Sequence, residues 1–185
     1  MNIRIIAGEF GGRIIEGSGT SRTHPMGERI RNALFNKIGD ELEGAVVLDA
    51  FAGSGALGLE ALSRGAKHVV FVERDRVAQR IISNNIDTLN VAKKADLIKA
   101  PVASWRRTTT DTFDVIFVDP PYHDMQLSTA MSLSGLLRPN GLMVLSYPGR
   151  GEAPAELGVV VVDNRSYGDA ALAFYRLAKN LKAPE

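Results

Sequence analysis

The chain has 185 residues, 45% of them hydrophobic, so it can bury one good core but is too short for two ordinary domains. Its 22 Lys and Arg residues nearly balance 21 Asp and Glu residues, and the overall charge therefore does not indicate a nucleic-acid or membrane-surface protein. The absence of cysteine excludes a disulfide scaffold, a cysteine metal site and a thiol nucleophile. Because there is no signal-peptide pattern and no stretch of about 20 apolar residues, we expect a soluble, cytoplasmic protein.

The first 44 residues differ in pattern from the rest. Two short β-like arms around "GEFGG" predict a hairpin, and "HPMGERIRNALFNKIG" predicts a helix that stops at Gly39. Through Lys37 this segment carries six basic against three acidic side chains, which suits a solvated face as well as it suits an RNA-binding patch. We therefore predict a small extension over residues 1–44 and a main domain over residues 45–185.

From residue 45 onward, short apolar runs alternate with segments of amphipathic helical spacing. Seven strands are predicted, at "AVVLDA", "HVVFVER", "ADLIKA", "FDVIFVD", "GLMVLSY", "VVVVDN" and "ALAFYRLA". Helices between the first five indicate a parallel sheet that is covered on both faces. Only "RSYGDA" separates the last two strands, so these should form an antiparallel pair at one edge. The predicted fold is α/β, with a mostly parallel seven-stranded sheet.

A glycine-rich loop, "FAGSG", follows the first strand of this sheet. Gly53, Gly55 and Gly58 match G-x-G-x-x-G, a spacing that serves NAD, FAD and S-adenosylmethionine alike. Asp49 at the strand's end would repel a pyrophosphate but accept a hydrogen bond from an amine, and Glu73 at the end of the next strand can accept from ribose hydroxyls. This favours S-adenosylmethionine. The alternative for Asp49 is a cap on the turn or helix.

The fourth strand ends in "DPPY", an acid followed by two residues without a backbone N–H. Ionised Asp119 only accepts hydrogen bonds, and Pro120 and Pro121 add carbonyl oxygens on a stiff backbone. Fixed acceptors suit an exocyclic amine of a nucleobase, because they can turn its lone pair toward a methyl donor. Tyr122 offers a flat face for an extruded base. In isolation this motif would more simply be a turn with a core tyrosine, but its place after strand four favours the site.

These residues resemble the class I, Rossmann-like methyltransferases that act on exocyclic amines, and more narrowly the RsmD family of 16S rRNA guanine-N2 methyltransferases. The resemblance covers nearly the whole chain, and the blocks that carry it are "RIIAGEFGGRII", "THPMGERIRNALFNKI", "VLDAFAGSGALGLEALSRGA", "FVERD", "FDVIFVDPPY" and "YGDAALAFYR". It implies S-adenosylmethionine as cofactor and 16S rRNA, in the small subunit or its assembly intermediate, as partner. We expect no membrane partner, no metal and a monomer.

The resemblance also implies roles for individual residues. The cofactor pocket would be formed by Asp49, Phe51, Ala52, Gly53, Ser54, Gly55, Gly58, Glu73 and Arg74. The target guanine would be held by Asp119, Pro120, Pro121 and Tyr122, and ribosomal RNA would be contacted by Arg13, His24, Arg29 and Arg31.

Two departures from the family pattern bear on binding. "THPMGE" stands where family members commonly have T-R-P-T-x-D, so that His24 replaces an arginine and Met26 a threonine. Pro101 stands about where an acid commonly lies near the adenine, and the adenine must then be held by backbone groups or apolar packing. Further along, Trp105 is followed by two arginines, which suits a stacking and phosphate patch, although we expect it to pack in the core.

Two other functions fit parts of the sequence. A DNA adenine-N6 or cytosine-N4 methyltransferase would use the same acceptors, but 185 residues leave no room for an inserted target-recognition domain. A non-catalytic RNA-binding assembly factor would share the fold, but the intact "DPPY" argues against it.

Overall fold

The computed structural model describes residues 1–18, 26–149 and 151–180. A seven-stranded sheet forms the centre of the molecule, in the order β5-β4-β3-β6-β7-β9-β8. Its strands are β3 (Val46–Ala50), β4 (His68–Glu73), β5 (Ala95–Lys99), β6 (Phe113–Val118), β7 (Leu137–Pro148), β8 (Val159–Tyr167) and β9 (Ala170–Leu177).

The strand directions follow the sequence-based prediction. The strands β3 to β7 are mutually parallel, and β9 runs antiparallel to both β7 and β8. The predicted antiparallel pair at one edge is confirmed, with β8 outermost. The winding reverses between β3 and β6, and in such sheets ligands bind beyond the carboxyl ends of the strands at this point.

Helices cover both faces of the sheet, because the strands are apolar on both sides. One face carries α2 (Ala56–Ser63) and α3 (Arg76–Thr88), and the other carries α4 (Val102–Thr108) and α5 (Leu127–Ser132). The short helix α4 was not predicted. Its Trp105 packs against Phe113 with ring centroids 6.2 Å apart, which confirms the expected packing role.

The N-terminal segment contains the predicted hairpin and helix. Strands β1 (Asn2–Arg4) and β2 (Ile14–Glu16) pair antiparallel, and α1 spans Glu28–Ile38. The helix ends where predicted, but Gly39 keeps a right-handed conformation with φ of −49° and leads into a short 3₁₀ turn, Gly39–Glu41. The predicted helix end at Gly39 is therefore confirmed, although the glycine is not left-handed.

This segment shares its hydrophobic core with the sheet. Ile5, Leu34 and Phe35 are fully buried, and the Phe35 ring lies 5.5 Å from that of Phe117 on β6. Burial of each large apolar side chain contributes roughly 1.5–3 kcal/mol, so removal of residues 1–44 would uncover a large part of the core.

Buried polar side chains of α2 and α3 fix the hairpin in place. The carboxylate of Glu60, which is fully buried, accepts hydrogen bonds from the backbone N–H groups of Ile6 and Ala7 at 2.9 and 3.1 Å. The hydroxyl of Ser63 accepts from the Phe10 N–H at 2.9 Å. The hairpin is thus held to α2 through its backbone as well as through its buried apolar side chains. In the described part of the chain no helix has the length and apolar character needed to cross a bilayer.

Candidate active site

The glycine loop joins β3 to α2 in a tight left-handed turn. Phe51, Gly53 and Gly55 have φ of 57°, 59° and 81°. Such a conformation costs little for glycine but is strained for phenylalanine, and strain of this kind is typical of functional sites. A Cβ atom added at Gly53 would meet nothing within 4 Å, so this part of the loop has open space in front of it.

Gly58, by contrast, lies inside α2 and faces the sheet. A Cβ atom there would come within 2.4 Å of the Phe71 ring on β4. The third glycine of the pattern therefore allows close packing between helix and strand, which is one of the known uses of this position. Gly58 thus faces the core and not the open side of the loop, in contrast to the expected cofactor contact.

Asp49 ties the end of β3 to α2. Its side chain is 1% exposed, and its Oδ2 accepts a hydrogen bond from the Gly58 N–H at 2.9 Å. Burial raises the pKa of Asp49 well above its ordinary value, against the effect of the Gly58 hydrogen bond, and the nearby acids Asp119 and Glu73 add to the rise. The structure thus gives this residue the capping role that the sequence left as an alternative to ligand binding.

Glu73 holds the loop from the neighbouring strand. Its Oε2 accepts from the Gly53 N–H at 2.8 Å and its Oε1 accepts from the Asp75 N–H at 2.9 Å. Each carboxylate oxygen keeps a second lone pair, which can accept from a ribose hydroxyl. The next residue, Arg74, pairs with Asp124 at 3.5 Å, so that an ion pair links the β4 loop to the loop that follows "DPPY".

The "DPPY" turn leaves the same edge of the sheet as the glycine loop. Ala50 on β3 lies opposite Val118 on β6, so the two loops emerge side by side. Asp119 is partly buried and Pro120 is buried, while the side chain of Tyr122 is 42% exposed.

A buried serine that the sequence analysis missed organises this turn. Ser146 on β7 is 4% exposed, and its hydroxyl lies 2.8 Å from the Tyr122 hydroxyl and hydrogen-bonds to Asp119. Because an ionised carboxylate only accepts, Ser146 donates to Asp119 and Tyr122 donates to Ser146. The sequence around Ser146 did not indicate this role, because a serine within an apolar strand run forms no recognisable motif.

The protonation of these groups is shifted by their surroundings. Burial raises the pKa of Asp119 from 3.8 to about 6, although the Ser146 hydrogen bond opposes the rise. Burial also raises the pKa of the Tyr122 hydroxyl, against the same serine. At neutral pH Asp119 is therefore ionised and able to accept hydrogen bonds, but it releases its proton less readily than a solvated acid.

The four residues expected to contact RNA are in different situations. Arg29 is exposed at the start of α1, and Arg13 is exposed and donates to the Thr88 carbonyl at 2.9 Å. Arg31 is 3% exposed and donates to the carbonyls of Met26 and Arg4 at 3.2 and 3.1 Å. Burial leaves Arg31 no surface for a phosphate, in contrast to the expectation. His24 lies outside the described residues.

A second buried side chain, also missed from sequence, connects the hairpin to the glycine loop. Asn85 on α3 is 1% exposed, and its amide oxygen accepts from the Glu16 N–H at 2.8 Å. Its amide nitrogen donates to the carbonyls of Glu16 and Ser54 at 2.9 and 3.0 Å. The amide thus binds the edge of β2 and the glycine loop at once.

The described residues contain no cluster of His, Asp and Glu side chains able to hold a metal ion. The strand order, with the glycine and "DPPY" loops side by side at the reversal of winding, defines a class I, Rossmann-like methyltransferase.

Comparisons with known proteins narrow this class. A family model described as "Conserved hypothetical protein 95" matches residues 3–176. The chain is 34% identical to YlbH of Bacillus subtilis over 183 residues, which are 94% of this chain and 98% of that protein. It is 36% identical to ribosomal RNA small subunit methyltransferase D of Haemophilus influenzae over 147 residues, which are 76% of each chain. The solved structure of yhhF from Escherichia coli superposes with a TM-score of 0.83 at 29% identity, covering 96% of this chain and 98% of that one. The chain belongs to the RsmD family of methyltransferases.

Proposed function

We propose that this protein transfers a methyl group from S-adenosylmethionine to the exocyclic N2 amine of a guanine in 16S rRNA of the small ribosomal subunit. The observation that carries the proposal is the acceptor-only "DPPY" turn directly beside the glycine loop, with Tyr122 hydrogen-bonded to the buried Ser146. The names of the relatives support rRNA of the small subunit as the substrate class. An enzyme acting on small subunits would work in the cytoplasm.

The cofactor would lie over the glycine loop. The open space at Gly53 and the free lone pairs of Glu73 fit a nucleoside whose ribose hydroxyls donate to the carboxylate. Pro101, which precedes α4 beyond the end of β5, offers an apolar surface and a carbonyl but no N–H for the adenine. When bound, S-adenosylmethionine supplies a methyl group on a positively charged sulfur.

The protein's part in the reaction is to orient the amine. The Asp119 carboxylate and the Pro120 carbonyl would accept the two N–H bonds of the guanine amine, which turns the nitrogen lone pair toward the methyl group. Tyr122, whose hydroxyl is tied to Ser146, would present its ring as a fixed stacking surface for the base. The amine must lose one N–H proton when it is methylated, and the Asp119 carboxylate, which would already accept a hydrogen bond from that N–H, would take up the proton.

The hairpin and α1 would contact the RNA around the target. Arg29 is exposed and has no partner among the described residues, and Arg13 is exposed close to the end of α3. Both can bind phosphate oxygens. Because the segment over residues 1–44 shares its core with the sheet, point substitutions at these two arginines are the suitable test, and deletion of the segment is not.

Incubation with methyl-labelled S-adenosylmethionine tests the proposal. Small subunits, free 16S rRNA and duplex DNA serve as alternative substrates, and the labelled nucleoside is identified after digestion. We expect label in N2-methylguanosine of 16S rRNA and none with the Asp119→Ala variant. Label in DNA, or in another nucleoside of the rRNA, would refute the assignment.

A further inference from the structure

A groove between α4 and α5 is lined by none of the residues proposed to hold the cofactor or the target base. Its volume is about 220 Å³, and it is lined by Ala103, Arg106, Arg107, Ser128, Thr129 and Ser132. Five of these six side chains carry hydrogen-bonding groups, two are cationic, and none is acidic. This composition suits an anion with several oxygen atoms.

The two arginines of the groove differ in their exposure and in their hydrogen bonds. Arg106 is held against α5, since its Nε donates to the Ser132 carbonyl at 3.1 Å. Arg107 is exposed and makes no hydrogen bond or ion pair with any residue that the structure describes. The hydroxyl of Ser128 is likewise exposed and without a partner in the described chain. The groove therefore offers one fixed cation, one free cation and a free hydroxyl.

We propose that this groove binds a backbone phosphate of the substrate RNA, a role that rests on the proposed function. A guanidinium presents N–H donors in a planar fork that matches two phosphate oxygens, and a hydroxyl can donate to a third. The fixed position of Arg106 lowers the entropy lost on binding, because part of the site is already ordered.

The place of the groove in the fold connects it to the target base. Ser128 follows Tyr122 by six residues, which limits the distance between their Cα atoms to about 20 Å. The groove lies on the sheet face covered by α4 and α5, whereas the hairpin and α1 pack on the opposite face. RNA that contacts both surfaces would cross the carboxyl edge of the sheet and present its nucleotide to the cleft between them.

The loss of RNA affinity expected when one phosphate contact is removed follows from counterion release. Each phosphate contact contributes about 0.7 to 0.9 to the slope of the logarithm of the binding constant against the logarithm of salt concentration. At 0.1 M salt, loss of one contact therefore lowers the affinity about five- to eightfold, and the loss shrinks toward higher salt.

The test measures the binding of small subunits to the wild type and to three variants at salt concentrations of roughly 0.05 to 0.3 M, over which the screening of exposed charges increases. Arg107→Ala should weaken binding about five- to eightfold at 0.1 M salt and lower the slope by about 0.7 to 0.9. Arg107→Lys, which keeps the charge, should restore the slope. Lys67→Ala is the matched control, because Lys67 is an exposed cation just before β4 that does not line the groove, and it should change neither quantity.

Three results would overturn the inference. These are an unchanged affinity and slope in Arg107→Ala, an equal loss in Lys67→Ala, and a groove that binds inorganic phosphate in an Arg107-dependent manner without any effect on RNA binding. Affinity for S-adenosylmethionine, measured by calorimetry, should be the same in all variants and shows that each is folded. Failure of the proposed function is distinguishable, because the wild type itself would then not methylate 16S rRNA.

Discussion

Replacement of Asp119 by asparagine should abolish methyl transfer and at the same time stabilise the protein at alkaline pH. Asparagine has nearly the same shape and keeps one acceptor oxygen, but its neutral amide cannot take up the proton that the amine loses. The pKa of Asp119 is raised from 3.8 to about 6, so ionisation of this carboxyl is less favourable in the folded than in the unfolded chain. A shift of about two units corresponds to roughly 3 kcal/mol.

The sign of the pH dependence follows from this shift. The contribution of a group with a raised pKa is fully present below pH 3.8, and it is lost as the pH rises through about 6. At pH 8 the variant should therefore exceed the wild type in its free energy of unfolding by up to roughly 3 kcal/mol, which is about 6–12 °C in melting temperature for a chain of this size. Below pH 4 the difference should vanish.

Thermal unfolding of both proteins at intervals from pH 4 to pH 8 measures the difference directly. Asp111→Asn, which changes an exposed carboxylate in a loop, controls for the loss of one charge. An Asp119→Asn protein that is no more stable than the wild type at pH 8, or whose advantage does not depend on pH, would refute the reasoning. An active variant would refute the catalytic role.

Three further predictions follow from the buried polar groups. Ser146→Ala removes the hydrogen bond that favours ionised Asp119, so the pKa of Asp119 should rise and the acid limb of the pH–activity profile should move to higher pH. Arg31→Ala should lower the free energy of unfolding by about 3 kcal/mol in denaturant titrations, because buried hydrogen bonds and a charge near Glu60 are lost, whereas exposed Arg29→Ala should change it by less than about 0.5 kcal/mol. Asn85→Ala should cost about 3 kcal/mol by the same measurement, since it leaves backbone groups of the hairpin and the glycine loop without partners.

The fold could be predicted because its signals are local. Each strand of the sheet is a short apolar run between breakers, and the glycine loop and "DPPY" mark strand ends by residues that sheets and helices disfavour. Residues that act through distant contacts gave no such signal. Ser146 reaches Asp119 only because β7 lies beside β6, and Asn85 reaches Glu16 across 69 positions.

The charge pattern of residues 1–44 was the least reliable basis for predicting which residues contact RNA. Arg29 and Arg31 are two positions apart on α1, so they point in different directions, and one is exposed while the other is buried. A count of charges in sequence cannot separate these cases, because burial depends on which face of the helix packs on the sheet. The sequence likewise did not decide whether Asp49 binds a ligand or caps a helix. In the structure its carboxylate accepts a hydrogen bond from the Gly58 N–H.

The most direct measurement of the central claim is mass mapping of modified nucleosides in 16S rRNA from cells that lack this protein. We predict that one N2-methylguanosine disappears, that the wild-type protein restores it, and that the Asp119→Asn variant does not. An unchanged set of modified guanosines in the cells that lack the protein would contradict the account.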